Sequence, residues 1–307
     1  MQYACTSSFA VVLAGLLAFP SRPALQPRTR TVYVSATDKQ GIAVTDLQAS
    51  DVEIKEGGKV REIVSAAPAT IPLRIALLVA DQGTGAFQLG LGRFMQRLLG
   101  HAEFQLVSVI VQPETLVDFS HNGPDLSAAL ARLGPRGRQQ GGQLMEAIQD
   151  ATTAVQHDGR RPVIVVVRLG GEAASALSAD DVREQLRKSG AMLYVVSAAG
   201  AQAAAPSQAR GTDALSVQQG QFRDAELAEG AFNLAAVLGD GAKESGGHHD
   251  QVIATTHAKA LEQLADELLH QYEITYTLPD GVKPSDRLSV SSKRKGVTLR
   301  APSRLPN

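Results

Sequence analysis

Asp81 is the residue best placed to do chemistry. It closes an uncharged run, Ile75-Ala76-Leu77-Leu78-Val79-Ala80, and is followed by Gln82-Gly83-Thr84-Gly85. A carboxylate therefore stands at the C-terminal end of a buried strand, beside a Gly/Thr-rich turn. His248-His249-Asp250, with His257 further on, is the one histidine cluster. Zinc would need three or four converging ligands, whereas neighbouring strand residues point to opposite faces, so this group reads as a solvated strand edge. Gly83-Thr84-Gly85 lacks both a P-loop ending and the G-x-G-x-x-G spacing, because Gln88 stands at the third glycine position. Ser197 and Ser245 lack a G-x-S-x-G elbow, so no hydrolase signature is present. Lys293-Arg294-Lys295 is a short basic run without accompanying aromatic residues, which reads as a solvated turn.

Strands must carry these residues to one place. Leu73 to Ala80 and Val163 to Val167 are nearly bare aliphatic, as expected of strands buried on both faces of a parallel sheet. Phe104 to Val111, Leu116 to Phe119 and Met192 to Ser197 are further strands. Helical spacing is expected after Asp81, with Leu89, Phe94, Leu98 and Leu99 inward. It recurs over Asp125 to Leu133, Gln143 to Gln156, Ala179 to Lys188 and Ala258 to His270. Ser178 and Gly190 supply a start and a stop for the fourth of these. Alternating strand and helix predict a doubly wound, mostly parallel α/β sheet. Ala198 to Gln221, rich in Ala, Gln and Gly, reads as a surface insertion, and Phe232 to Leu238 as a helix. After a Pro/Arg linker ending at Arg30, Thr31 to Thr37 alternates as a strand, and Val52 to Ser65 as a hairpin. At the other end, Tyr272 to Leu278, Arg287 to Ser291 and Gly296 to Arg300 are β. Neither set is large enough to stand alone, so the two ends are expected to form one small β unit.

Composition sets the outer limits. The 307 residues carry 30 basic and 31 acidic side chains, which gives no field for a nucleic-acid backbone. One Cys excludes an internal disulfide scaffold and a Cys-based zinc site. Phe9 to Phe19 is an apolar run with the length of a signal-peptide core, shorter than the ~20 residues of a bilayer span. Export to the periplasm, cell envelope or medium is therefore expected, with no transmembrane span after signal removal. The expected organisation is a signal peptide over 1–26, an N-terminal β unit over 27–70, the α/β domain over 71–271, and C-terminal strands over 272–307.

Two passages resemble a known family. Val34-Ser35-Ala36-Thr37-Asp38-Lys39-Gln40-Gly41-Ile42-Ala43-Val44 is similar to a strand followed by a D-x-x-G-x-x-V turn. Ser50-Asp51-Val52-Glu53-Ile54-Lys55-Glu56-Gly57-Gly58-Lys59 is similar to its following hairpin, and Ala265 to Tyr276 to its helix-to-strand "eL-x-x-Q-Y-x-x-x-Y" passage. With the order of elements, these resemble the VWFA-related proteins of the acidobacterial type, built on the von Willebrand factor type A domain. That resemblance implies a metal-ion-dependent adhesion site: D-x-S-x-S after the first strand, a Thr before a later helix, and a carboxylate after the fourth strand. Here Asp81 matches the leading Asp, but Gly83 and Gly85 replace the two serines and Thr84 falls between them. Gln143 stands at the Thr position, and Arg168-Leu169-Gly170-Gly171 replaces the acidic segment. The implied site is degenerate, with at most weak Mg²⁺ binding, no cofactor, and Arg168 expected to pair with Asp81. The favoured function is a non-enzymatic module that binds a protein through a rim containing Asp81, Thr84, Gln143 and Arg168. The alternatives are cation-dependent adhesion through Asp81 and a metal-dependent hydrolase built on His248 and His249.

Overall fold

The computed structural model describes residues 28–137, 142–170, 175–199 and 214–306. The expected signal segment lies outside them. The central sheet is built on β5 (Leu73–Ala80), with β6 (Ala102–Val109) and β8 (Arg161–Leu169) as its parallel neighbours. Beyond β8 come β9 (Met192–Ala199) and β10 (His249–Ile253), also parallel; beyond β6 lies antiparallel β7 (Pro113–Ser120). The order β10-β9-β8-β5-β6-β7 is a doubly wound sheet whose winding reverses between β5 and β8, as the alternation of strands and helices predicts.

The aliphatic strands serve two cores at once. Ile75, Leu77 and Val79 of β5 pack with α1 (Gln88–Leu98), α2 (Gly123–Ala131) and α7 (His257–Leu269). Ala76 and Leu78 pack on the other face with α3 (Leu144–Ala154) and α4 (Ala179–Ser189). Ser178 caps α4 by accepting from Asp181 N at 3.2 Å, and Gly190 ends it.

Several boundaries and faces differ from the sequence reading. In α1 the inward residues are Leu91, Phe94, Met95 and Leu98, whereas Leu89 is 68% exposed and Leu99 39%. The helical period runs from buried Phe87 through Leu91 and Leu98, which puts Leu89 on the opposite side. Helix α5 spans Ala214–Ala236, so the end of the expected insertion is helical: its Ala, Gln and Leu content favours helix when a core is at hand. A π turn (Val237–Gly241) and the short α6 (Ala242–Glu244) follow. Arg28 to Arg30 belong to a strand rather than a linker, because β1 (Arg28–Thr37) pairs from Arg28 to Val34 with β11 (Tyr272–Leu278).

Both chain ends meet in β structure. One sheet has the order β13-β1-β11-β4, with β4 (Ile63–Pro68) and β13 (Thr298–Arg300); the other is β12-β2-β3, from Leu288–Ser292, Val52–Glu56 and Lys59–Arg61. The expected hairpin therefore stops at Arg61, and β4 crosses to pair with β11 instead. Asp38 shapes the turn after β1 by accepting from Gln40 N at 2.8 Å and Ile42 N at 2.9 Å. Buried Glu56 holds Arg30 at 2.8 Å and Arg61 at 3.2 Å, and burial beside that carboxylate pushes the Tyr276 phenol up to about 12.

A buried polar node joins this β structure to the central sheet. Gln271 is 1% exposed. Its Nε2 donates to Tyr194 Oη at 3.0 Å and Ser35 Oγ at 3.2 Å, while its Oε1 accepts from Arg161 Nη1 at 2.7 Å. Burial drives the Tyr194 phenol well above its ordinary range, so the hydroxyl stays protonated. Removing the amide would take one hydrogen bond from each of three buried partners. Gln271→Ala is expected to lower unfolding stability by about 2–4 kcal/mol in urea titrations. Gln143→Ala, at an exposed position, should change it by less than about 0.5 kcal/mol.

Candidate functional site

In a doubly wound sheet the crevice for a ligand lies beyond the strand C-termini where the winding reverses. Here that is the edge formed by the chain after β5, the chain after β8 and the approach to α3. Asp81 leaves β5 at this edge and is 2% exposed. Its Oδ1 accepts from Gly83 N at 2.9 Å and its Oδ2 from Gly85 N at 2.7 Å. Thr84 Oγ1 donates back to Asp81 O at 2.8 Å. Asp81 and Thr84 thus belong to one closed turn, and both carboxylate oxygens are engaged by backbone.

The glycines are required by that turn. Gly83 has φ +73° and Gly85 φ +71°, a left-handed region that side chains strain to enter. A Cβ on Gly83 would stand 2.6 Å from Gly137 O; one on Gly85 would stand 3.1 Å from Leu133 O and 3.2 Å from Pro135 N. Gly83 O also accepts from Arg136 N at 2.9 Å, which seals the turn against the chain following α2. Gln82 adopts φ +59° and reaches across to the Gly170 carbonyl beyond β8. The serines of a D-x-S-x-S site would collide here. The residues present do not fit a hydroxyl-assisted divalent cation: Gly83 and Gly85 supply no side-chain oxygen, and the Thr84 hydroxyl is turned back onto the Asp81 carbonyl.

Gln143 is exposed at the start of α3, where its N–H donates to Val111 O at 3.1 Å and its side chain makes no capping bond. Arg168 lies near the end of β8, in register with Ala80 and Ser197. Burial lowers its pKa, and among the described residues no ion pair joins it to Asp81, contrary to expectation. The carboxylate had nearer partners: two N–H groups four residues or fewer away satisfy it without ordering a long side chain. Parts of the expected rim, residues 138–141, 171–174 and 200–213, lie outside the described residues.

The histidines diverge. His248 Nε2 meets Asp250 Oδ2 at 3.1 Å, and its ring stands edge-on to Tyr194. His249 Nε2 meets Ser197 Oγ at 2.8 Å. His257 packs edge-on against Phe87, with Nδ1 2.5 Å from Ala254 O. Among the described residues no group of three or more His, Cys, Asp or Glu could hold a metal. The Ser197–His249 contact was not foreseen, because no local motif links residues 52 apart on neighbouring strands. Gln271 lies in the quoted family passage, yet its role emerges only from its burial.

No family model matches this chain, and no curated protein matches it. Among solved structures, it is similar to BatB from Bacteroides thetaiotaomicron at 13% identity and a TM-score of 0.40, covering 64% of this chain and 97% of that one. The SpRpn10 VWA domain matches at 11% identity and 0.40, covering 62% and 94%. Proximal thread matrix protein 1 of the mussel byssus, with a zinc-occupied MIDAS motif, matches at 12% and 0.44, covering 74% and 50%. The likeness is one of fold.

Two outcomes are expected at this edge. Gly83→Ser and Gly85→Ser should each lower stability by about 1–3 kcal/mol, and the double variant should gain no Mg²⁺ binding by calorimetry. Burial, with the charges of Arg168 and His248 adding, holds His249 below its ordinary pKa of 6.5 while Asp250 opposes. The unfolded chain then binds that proton more readily. The stability from the neutral ring is complete above about pH 6.5 and is lost as pH falls towards the folded pKa. Urea unfolding of His249→Asn across pH 4.5–7.5 (a range of about three units around the shift) should show a shallower fall than the parent.

Proposed function

We propose that this protein is an exported, non-enzymatic interaction module of the type A kind, which grips a protein partner at its strand C-terminal rim without a cation. The observation that carries this reading is the state of Asp81. A metal-dependent rim needs hydroxyl ligands beside its carboxylate, whereas positions 83 and 85 are glycine and both oxygens of Asp81 already accept N–H groups of its own turn. The exposed Gln143 offers a neutral amide at the start of α3. Such a group suits a polar protein segment better than a bridging metal. The dispersed histidine contacts support a binding role over metal-dependent hydrolysis. The apolar run Phe9 to Phe19 within residues 1–26 supports export to the periplasm, cell envelope or medium. Among the described residues no helix is long and apolar enough to cross a membrane. Residues 27–70 and 272–307 act as a β unit that holds the module of 71–271.

Affinity capture from envelope extract tests this. The full chain, freed of its signal, should retain the same partner band with and without EDTA, and Gln143→Arg should weaken capture at least several-fold. Capture abolished by EDTA and restored by Mg²⁺, together with calorimetric Mg²⁺ binding lost in Asp81→Ala, would return the rim to cation-dependent adhesion.

A further inference from the structure

A cavity of about 580 Å³ opens at the other end of the sheet, between the first residues of β8 and β9, strand β1 and the chain after β13. That size falls within the range of small-molecule sites, roughly 300–1,000 Å³. Val32, Val163, Leu186, Met192 and Leu305 give it an apolar wall. Its lining carboxylates are already committed. Arg183 holds Glu244 at 2.6 Å and Asp180 at 3.4 Å, and Arg187 holds Glu184 at 2.7 Å.

Two lining guanidiniums form no ion pair among the described residues: Arg304, which is exposed, and Arg161. Arg161 is 5% exposed, yet it borders the cavity. Its Nε donates to Ile71 O at 2.7 Å and its Nη1 to Gln271 Oε1 at 2.7 Å; both acceptors are neutral. Its guanidinium lies 5.5 Å from the centre of the Tyr33 ring. Among the described residues no carboxylate forms an ion pair with it, and Glu273 acts on it only at longer range. A guanidinium does not shed its proton, so this buried charge is a standing cost until an anion meets it.

We infer that this cavity binds a small amphipathic molecule, its single carboxylate on Arg161 and its apolar body against Leu186 and Met192. One buried guanidinium without a carboxylate balances one negative charge, whereas Arg304 is exposed to water. A dianionic phosphate would bring a second charge with no buried cation to meet it, which favours the carboxylate. The site is independent of the rim and needs no metal.

Calorimetric titration of the full chain with decanoate, decan-1-ol and decyl phosphate tests the assignment. Decanoate is expected to bind about tenfold more tightly than decan-1-ol, and Arg161→Gln should remove most of that difference while leaving decan-1-ol binding unchanged. Arg183→Gln, whose charge is already paired, should retain the preference. The comparison of decanoate with decan-1-ol in the parent protein stands even if Arg161→Gln does not fold. Equal affinity for acid and alcohol, tighter binding of decyl phosphate, or no binding of any probe would overturn the proposal.

Discussion

A buried primary amide has to satisfy two donors and one acceptor or lose the free energy of leaving them dry. Gln271 meets that demand with groups from three distant parts of the chain: Ser35 on β1, Tyr194 on β9 and Arg161 on β8. Much of the structure follows from that bond set. It fixes the start of β11 against the base of the central sheet, and β11 in turn is flanked by β1 and β4. The chain ends are thereby held beside the sheet rather than beside each other alone. Glu267, one turn before Gln271 on α7, repeats the device by accepting Arg300 Nη1 at 3.3 Å from β13.

The opposite edge obeys a different constraint. A carboxylate at the end of β5 is surrounded by low-dielectric core and must find donors. Two solutions exist for such a position: recruit a cation with help from nearby hydroxyls, or curl the following backbone so that its N–H groups point back. The second needs residues that enter the left-handed region and tolerate close backbone approach. Gly83 and Gly85 meet both requirements, and their tight contacts with Gly137, Leu133 and Pro135 leave no room for a hydroxymethyl group. Glycine at both positions and a self-satisfied turn therefore go together. The loop is compact, and its carboxylate is hydrogen-bonded from within.

Sequence reasoning reached the parts governed by local physics. Bare aliphatic runs such as Val163 to Val167 can only be buried on both faces, and Ser178 and Gly190 mark the ends of α4 by backbone chemistry alone. The missing ligands after Asp81 were also legible, since glycine has no oxygen to offer. Other features depend on distance in space. Leu89 and Leu99 share the residue type of their buried neighbours, and only the phase set by Phe87 separates them. Ala214 to Gln221 has the composition of either a loop or a helix, and packing further along α5 decides. The failure of the expected Arg168–Asp81 pair has the same origin: charge complementarity was visible, but the competing N–H groups depend on φ values.

Strand β8 shows how a nearly neutral chain acquires local fields. It begins at Arg161 and reaches Arg168 at its far end, with uncharged residues between. Desolvation bears on both guanidiniums, and neither can relieve it by losing a proton. The strand therefore delivers a partly dehydrated positive charge to each pole of the sheet. At the upper pole Arg168 helps depress the protonation of His249, so that the ring beside Ser197 stays neutral. At the lower pole Arg161 is held by neutral oxygens that orient it without cancelling its charge. In a buried strand an aliphatic residue at position 161 would avoid that penalty. A guanidinium there makes physical sense where that pole meets an anionic group.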